Sequence, residues 1–318
     1  MSQLRADLWF VFLSALWGSS FLVISDTLAG VDPFLLVAIR FILAAGLLAL
    51  AFRRHLNQIE PEELYGGAVL GVSLALGFIL QTIGIGGTTP TKAAFVTGLG
   101  SVLIPILSAL WLKERPGLGA IIGVAVATVG LGFLTLREGF TYAPGDAWVL
   151  ACTLPFAVYV VAVSYFTTRC HPLRLIVVQL AAAAVTSSIG VTAFGEWEFD
   201  FQREHGLAIA FLAMFPTALA FGIQPLIQRY TTPTHVAVIL ITEPMFAALF
   251  SWWFAGDLLT RRELLGCVLI VIGMILSEVR LWNKERDAHN NPVPSNIQRC
   301  SIPGCPPPRT QARDLKTK

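Results

Sequence analysis

The feature that most constrains this chain is a succession of about ten apolar segments, each of about 20 residues, separated by short polar breaks. A helix of about 20 residues spans a hydrocarbon core of roughly 30 Å. Only 13% of the 318 residues are charged, where soluble domains carry about 25%. Ten of the 42 charged side chains fall in the last 36 residues, so the apolar part is poorer still in charge. What remains lacks the polar helix faces that a soluble fold turns to water. The expected fold class is an all-α membrane protein. Spans are read near 8–29, 33–52, 64–84, 91–112, 118–136, 146–166, 173–194, 206–227, 234–255 and 264–282. The first is too long for a signal-peptide core, contains Trp17 and leads straight into the second.

Basic residues orient the spans. With the N-terminus in the cytoplasm, inner ends and loops hold eleven: Arg5, Arg53, Arg54, Lys113, Arg115, Arg169, Arg174, Arg229, Arg280, Lys284 and Arg286. Outer ends and loops hold Lys92, Arg137, Arg203, Arg261 and Arg262. This places both termini inside, which requires an even number of spans and favours ten over nine. The expected location is the cytoplasmic (inner) membrane. The segment 283–318 has six prolines and no hydrophobic periodicity, and is expected to be a disordered cytoplasmic tail. Cys300 and Cys305 lie in it, with a redox or metal role set against two plain exposed thiols. Cys152, Cys170 and Cys267 show no zinc-like spacing and imply no disulfide framework.

The chain also repeats itself. Thr88-Thr89-Pro90-Thr91 recurs as Thr231-Thr232-Pro233-Thr234, an offset of 143 that also carries Phe78 to Phe221, Gln81 to Gln224, Gly123 to Gly266 and Gly130 to Gly273. It sets Lys92 opposite His235 and Glu114 opposite Asp257. Earlier in the chain an offset of 139 pairs Asp7 with Asp146, Trp9 with Trp148, Pro33 with Pro172 and Leu36 with Leu175. The repeats are placed at 7–137 and 145–282. Each holds five spans, an odd number, so the second copy must insert upside down. Inverted repeats of this kind build secondary transporters, which rock one half against the other around a site near the midplane.

Several motifs resemble the ten-helix EamA-type transporters of the drug/metabolite transporter superfamily. They are Trp17-Gly18-Ser19-Ser20-Phe21, Ala38-Ile39-Arg40-Phe41, Gly98-Leu99-Gly100 through Pro105, and Leu112-Lys113-Glu114-Arg115. In the second half, Glu243-Pro244-Met245-Phe246-Ala247-Ala248-Leu249 and Gly256-Asp257 fill corresponding places. The likeness covers 7 to 282. The family usually has Gly-Glu where this chain has Gly256-Asp257. Ser101 stands opposite Pro244, with the first half's proline a turn later at Pro105, which leaves the bend of the fourth helix open. The resemblance implies transport of small organic solutes, often export of amino acids or related metabolites.

Arg40 is the sharpest outlier, a charge well inside a span, where insertion costs about 2.5–3.5 kcal/mol. It reads as an anchor for a substrate carboxylate or phosphate, or as a structural tie to carbonyls or an acidic partner. Its repeat counterpart is Gln179. Glu243 sits mid-span before Pro244 and reads as a proton carrier, a partner of Arg40, a cap for carbonyls freed by the proline, or a substrate contact. Gln81, Gln179 and Gln224 offer neutral hydrogen bonds. Trp17, Phe21, Trp111 and Tyr159 offer apolar walls, as suits a small amphiphilic solute, or else simply pack. Pro105, Pro155, Pro216, Pro225 and Pro244 remove backbone donors within spans, and Pro105, Pro155 and Pro244 are the candidate hinges. Trp252 and Trp253 read as interface anchors. Lys92 is expected to snorkel outward and His235 to begin its helix in solvent. Gly67-x-x-x-Gly71 and Gly119-x-x-x-Gly123 fit close helix packing.

No Walker loop, zinc-protease pair or nucleophile elbow is present, so neither ATP use nor an enzyme nor a cofactor is expected. The expected partners are a small-molecule substrate and the lipid bilayer, not nucleic acid, with a homo-oligomer left open. The competing classes are a sensory or structural membrane subunit docking through its tail, and an intramembrane enzyme, which would need acidic or histidine clusters at matched depth.

Overall fold

The computed structural model describes residues 3–113, 117–135, 143–197, 203–255 and 260–290. Glu114, Arg115, Arg137, Gly256, Asp257, Cys300 and Cys305 lie outside them. The chain divides into a unit Met1–Arg280 and a unit Leu281–Lys318. Among the described residues all regular structure is helical.

In chain order the first half contains α1 (Gln3–Thr27), α2 (Pro33–Ala51), α3 (Pro61–Gly86), α4 (Pro90–Leu99), α5 (Leu103–Trp111) and α6 (Leu118–Thr135). The second contains α7 (Pro144–Thr167), α8 (Pro172–Phe194), α9 (Arg203–Ala213), α10 (Ala220–Gln228), α11 (Pro233–Leu240), α12 (Glu243–Phe250) and α13 (Arg261–Asn290). α4 with α5, α9 with α10, and α11 with α12 are single spans broken near their middles. Among the described residues, eight spans are long and apolar enough to cross a bilayer, and shorter apolar helices at Leu118–Phe133 and Leu264–Leu276 fill the fifth and tenth places. This is a ten-helix membrane bundle made of two inverted five-helix repeats.

Proline sets most helix starts. Pro33, Pro61, Pro90, Pro144, Pro172 and Pro233 each open a helix, where the missing N–H costs nothing and the fixed φ is already helical. Asp32 caps α2 by accepting from the amides of Phe34 and Leu35. The repeated Thr-Thr-Pro-Thr is a capping device: Thr89 accepts from Lys92 N, and Thr232 from His235 N. α13 runs to Asn290, eight residues past the expected last span, through a stretch of good helix formers. The first eight residues of the expected disordered tail, 283–290, are therefore helical, and 291–318 lie outside the described residues.

Glycines bring backbones together where the halves meet. A Cβ on Gly130 would lie 2.8 Å from Gly266 O, and one on Gly273 would lie 2.6 Å from Gly123 O. Gly130 and Gly273 are repeat counterparts, as are Gly123 and Gly266. Each contact is therefore the image of the other, the isologous pattern that a twofold axis demands. In α3, Gly67 abuts the Val178 side chain, and Gly71 faces Gln179 O at 2.3 Å from an added Cβ. The Gly67-x-x-x-Gly71 stripe is thus the seat of α8. Gly84 and Gly87 pack on Gly145, whose amide donates to Gly87 O at 3.2 Å. Large apolar side chains such as Leu50, Leu110, Val185 and Phe194 are exposed on the outside, as a surface facing acyl chains requires.

Candidate functional site

The fourth and ninth spans both break near their middles, at positions of the repeat two to three residues apart. α4 ends at Leu99, a 3-10 turn covers Gly100–Val102, and α5 begins at Leu103. Pro105 has no N–H to offer the carbonyl four residues back, at Ser101, and the turn tightens there. The bend thus falls one turn before the proline, two to three residues later in the repeat than the break of the ninth span at Ile241–Thr242, whose counterparts are Gly98 and Leu99. In the ninth span α11 ends at Leu240, and α12 starts at Glu243, immediately before Pro244, with Thr242 at its N-cap position. Breaks of this kind at membrane depth are tolerated where they line a cavity.

They do so here. A cavity of about 80 Å³ is lined by Gly98, Gly100 and Ser101 at one break and by Leu240 and Glu243 at the other. Much of the remaining wall comes in repeat pairs, Trp17 with Phe156, Ser20 with Tyr159, Phe78 with Phe221 and Gln81 with Gln224, while Thr97 answers its counterpart Leu240 and Ile104, Thr153, Ala157 and Val160 line the wall without a counterpart in it. Phe78 and Phe221 touch edge to face, 5.7 Å between centroids. The cavity therefore lies on the twofold axis relating the halves. Its symmetry fails in charge where Gly100 of the first half answers Glu243 of the second. Glu243 is half-buried and carries the only Asp, Glu, Lys or Arg side chain in the wall.

Two ion pairs cross between the halves. Lys92 Nζ lies 2.5 Å from Asp146 Oδ2, and His235 Nε2 lies 3.1 Å from Asp7 Oδ1. Lys92 and His235 are counterparts, as are Asp7 and Asp146, so each pair is again the image of the other. Inverted topology puts them at opposite ends of the bundle. Lys92 does not snorkel outward; the Asp146 carboxylate, also held by Thr88 Oγ1 at 2.8 Å, draws it in. Nor does His235 begin its helix in solvent: it is 1% exposed against Asp7.

Arg40 is 1% exposed and does not line the cavity. Its guanidinium stacks on the Phe78 ring, 4.3 Å from the centroid, and its Nε donates to Thr217 Oγ1. Glu243 is not its partner. Gln179, the counterpart, sits the same way behind Phe221, donating to its carbonyl at 3.2 Å and accepting from Tyr159 OH at 3.5 Å. In both halves, then, a polar residue of the second helix props a phenylalanine of the wall. Thr217 belongs to a π-helical stretch, Met214–Leu219, between α9 and α10. Pro216 cannot donate to Leu212 O, and Thr217 Oγ1 does so instead at 2.7 Å. Trp17 Nε1 takes the Pro216 carbonyl at 3.0 Å. One helix distortion thereby anchors both Arg40 and Trp17.

Of the residues singled out in the sequence, Trp17, Gln81, Tyr159, Gln224 and Glu243 line the cavity, while Arg40 and Gln179 stand behind it. Phe21 is buried elsewhere, and Trp111 is 41% exposed beside Tyr165. Trp252 and Trp253 are exposed. Pro105 and Pro244 flank the two breaks, whereas Pro155 and Pro225 lie inside helices that continue through them. Sequence reasoning missed Phe156, Thr217 and the two cross-half ion pairs. The repeat register held the signal for the pairs, since it had already matched Lys92 with His235 and Asp7 with Asp146.

Comparison with known proteins agrees with this architecture. The EamA-like transporter family matches residues 4–136 and again 143–278. An uncharacterized transporter of Archaeoglobus fulgidus is 31% identical over 281 residues, covering 88% of each chain. The uncharacterized inner membrane transporter YedA of Escherichia coli is 26% identical over 277 residues, 83% of this chain and 87% of that one. A solved protein crystal structure superposes with a TM-score of 0.74 at 22% identity, over 86% of this chain and 98% of the other, which speaks to the fold alone.

Proposed function

The chain belongs to the EamA-like transporter family, and from that premise we propose that this membrane transporter carries small organic metabolites by alternating access of its two halves. The observation that carries the reading is the cavity on the twofold axis, with one cross-half ion pair towards each end. Parting Lys92 from Asp146 would open one end and leave His235 against Asp7, and the reverse exchange would open the other. The broken spans at Gly100–Val102 and Ile241–Thr242 supply joints beside the solute, with Pro105 and Pro244 preventing their repair into continuous helix. No nucleotide site is invoked, so the work comes from solute or ion gradients. Amino acids or related metabolites, with export as the direction, are what the family resemblance suggests.

The excess of inner basic residues supports cytoplasmic termini, and the similar Escherichia coli protein, by its name, supports an inner-membrane location. An intramembrane enzyme is disfavoured because Arg40 and Glu243, the two charges found at depth, are not paired. A sensory subunit would depend on the segment after Arg280, so deleting 291–318 should abolish its output, whereas transport should survive. The deciding experiment is uptake by liposomes holding the purified protein, using pooled amino acids and small metabolites with and without a pH gradient. Accumulation of one class supports transport, and its gradient dependence separates proton coupling from facilitation. Absence of flux for every solute, with correctly inserted protein, would count against the reading.

A further inference from the structure

Most side-chain donors of the cavity wall have a partner in the protein, although the Gln81 and Gln224 amides each keep a second N–H. Trp17 Nε1 donates to Pro216 O, Ser20 Oγ to Trp17 O, and Thr153 Oγ1 to Leu150 O. The amide nitrogen of Gln81 turns to Thr97 Oγ1 at 3.1 Å, that of Gln224 to Gln228 Oε1 at 3.0 Å, and Tyr159 OH to Gln179. The acceptors are in the opposite condition. Gln224 Oε1 is buried and has no hydrogen-bond partner among the described residues. Glu243 faces the cavity, and among the described residues no ion pair to it is seen. The hydroxyls of Thr97 and Ser101 can serve either way. Neither lysine nor arginine lines the wall, and Arg40 is engaged by Phe78 and Thr217.

A site that shows acceptors and one carboxylate, inside a ring of Trp17, Phe78, Phe156, Tyr159 and Phe221, is complementary to a donor-rich cation with an apolar body. Ammonium groups are attracted to aromatic faces as well as to carboxylates. A carboxylate solute would meet the Glu243 carboxylate with no lysine or arginine in the wall to compensate it, only neutral hydroxyl and amide donors, a like-charge contact in a low-dielectric site. We infer that the solute held in this cavity is a compact monovalent organic amine, bound by Glu243 and Gln224 within the aromatic wall, and not an amino acid or other carboxylate. The single charge follows from the broken symmetry, since the counterpart of Glu243 is Gly100. This inference rests on the transporter reading only in taking the ligand to be cargo.

The test compares isobutylammonium, isobutyrate and valine by calorimetry on the purified full-length protein in detergent, then by flux in liposomes. The amine should bind at least tenfold tighter than either carboxylate, and Glu243→Gln should reduce that preference at least tenfold. The wild-type comparison stands by itself if the variant fails to fold. Equal or tighter binding of isobutyrate or valine, or binding of none of the three, overturns the inference. Preferential flux of a carboxylate overturns it while leaving transport intact. An amine that binds but is never carried, with no flux of any solute, supports the cation site and overturns the transporter reading.

Discussion

Phe78 and Phe221, counterparts 143 positions apart in the chain, meet edge to face with ring centroids 5.7 Å apart. Two symmetry-related side chains can touch only beside the axis that relates them. That contact fixes where the axis runs, and the cavity walls, the prop residues Arg40 and Gln179, and the two ion pairs fall into place around it.

The ion pairs should act on opposite ends. Removing one partner of a buried pair typically costs about 3–5 kcal/mol, enough to shift a balanced equilibrium strongly. Lys92→Ala should raise labelling of a cavity thiol, Ser20→Cys in a background cleared of native cysteines, from the Lys92 side only. His235→Ala should raise it from the other side, and the swap Lys92→Asp with Asp146→Lys should restore the first closure. Identical accessibility changes in both variants would rule out separate closures.

The two pairs should also differ in pH response. Lysine stays charged across the physiological range, while histidine is charged only when protonated. The helices packed on α11 bring few other titratable groups: Arg5, Asp7 and Asp26 on α1, and Asp146, Cys152, Tyr159 and Tyr165 on α7, while α5 and α6 have none. The attraction to Asp7 is therefore present at low pH and lost as pH rises. Labelling from the His235 end should increase as pH rises, labelling from the Lys92 end should not, and His235→Lys should flatten the response.

Thr217 accepts from Arg40 and donates to Leu212 O. Thr217→Val leaves both groups without it and should cost about 1–3 kcal/mol, read as a lower Tm in detergent. Arg40→Met leaves no unpaired charge and should be tolerated better than Arg40→Ala, which opens a void worth on the order of 2–5 kcal/mol. The double variant Arg40→Met with Thr217→Val should lose less than the sum of the two, because they share one interaction.

Gly130 and Gly273 make image contacts, so alanine at either should destabilise by a similar amount, about 1–3 kcal/mol of overpacking. Gly46, with nothing within 4 Å of an added Cβ, is the control; alanine there should be neutral or stabilise by up to about 1 kcal/mol. A Tm loss for Gly46→Ala matching the other two would remove the argument from close approach.

By itself the sequence determined the solvent, the number of spans and the inverted repeat, because bilayer thickness sets segment length and an odd repeat must invert. It also singled out five of the eighteen residues that line the cavity, Trp17, Gln81, Tyr159, Gln224 and Glu243, since a polar or large aromatic residue inside an apolar span is conspicuous. It could not say that Arg40 lies behind Phe78 and Glu243 before it, because the face a helix turns inward depends on neighbours from the other half. The register matched Lys92 with His235 and Asp7 with Asp146, but matching identifies equivalent residues and not touching ones. Only the packing of the two halves joined them crosswise, because a twofold axis brings each residue to its counterpart's partner. The same packing turned a proline at 216 into a π-helical anchor for Arg40 and Trp17, a choice made by the donors that happened to stand nearby in space.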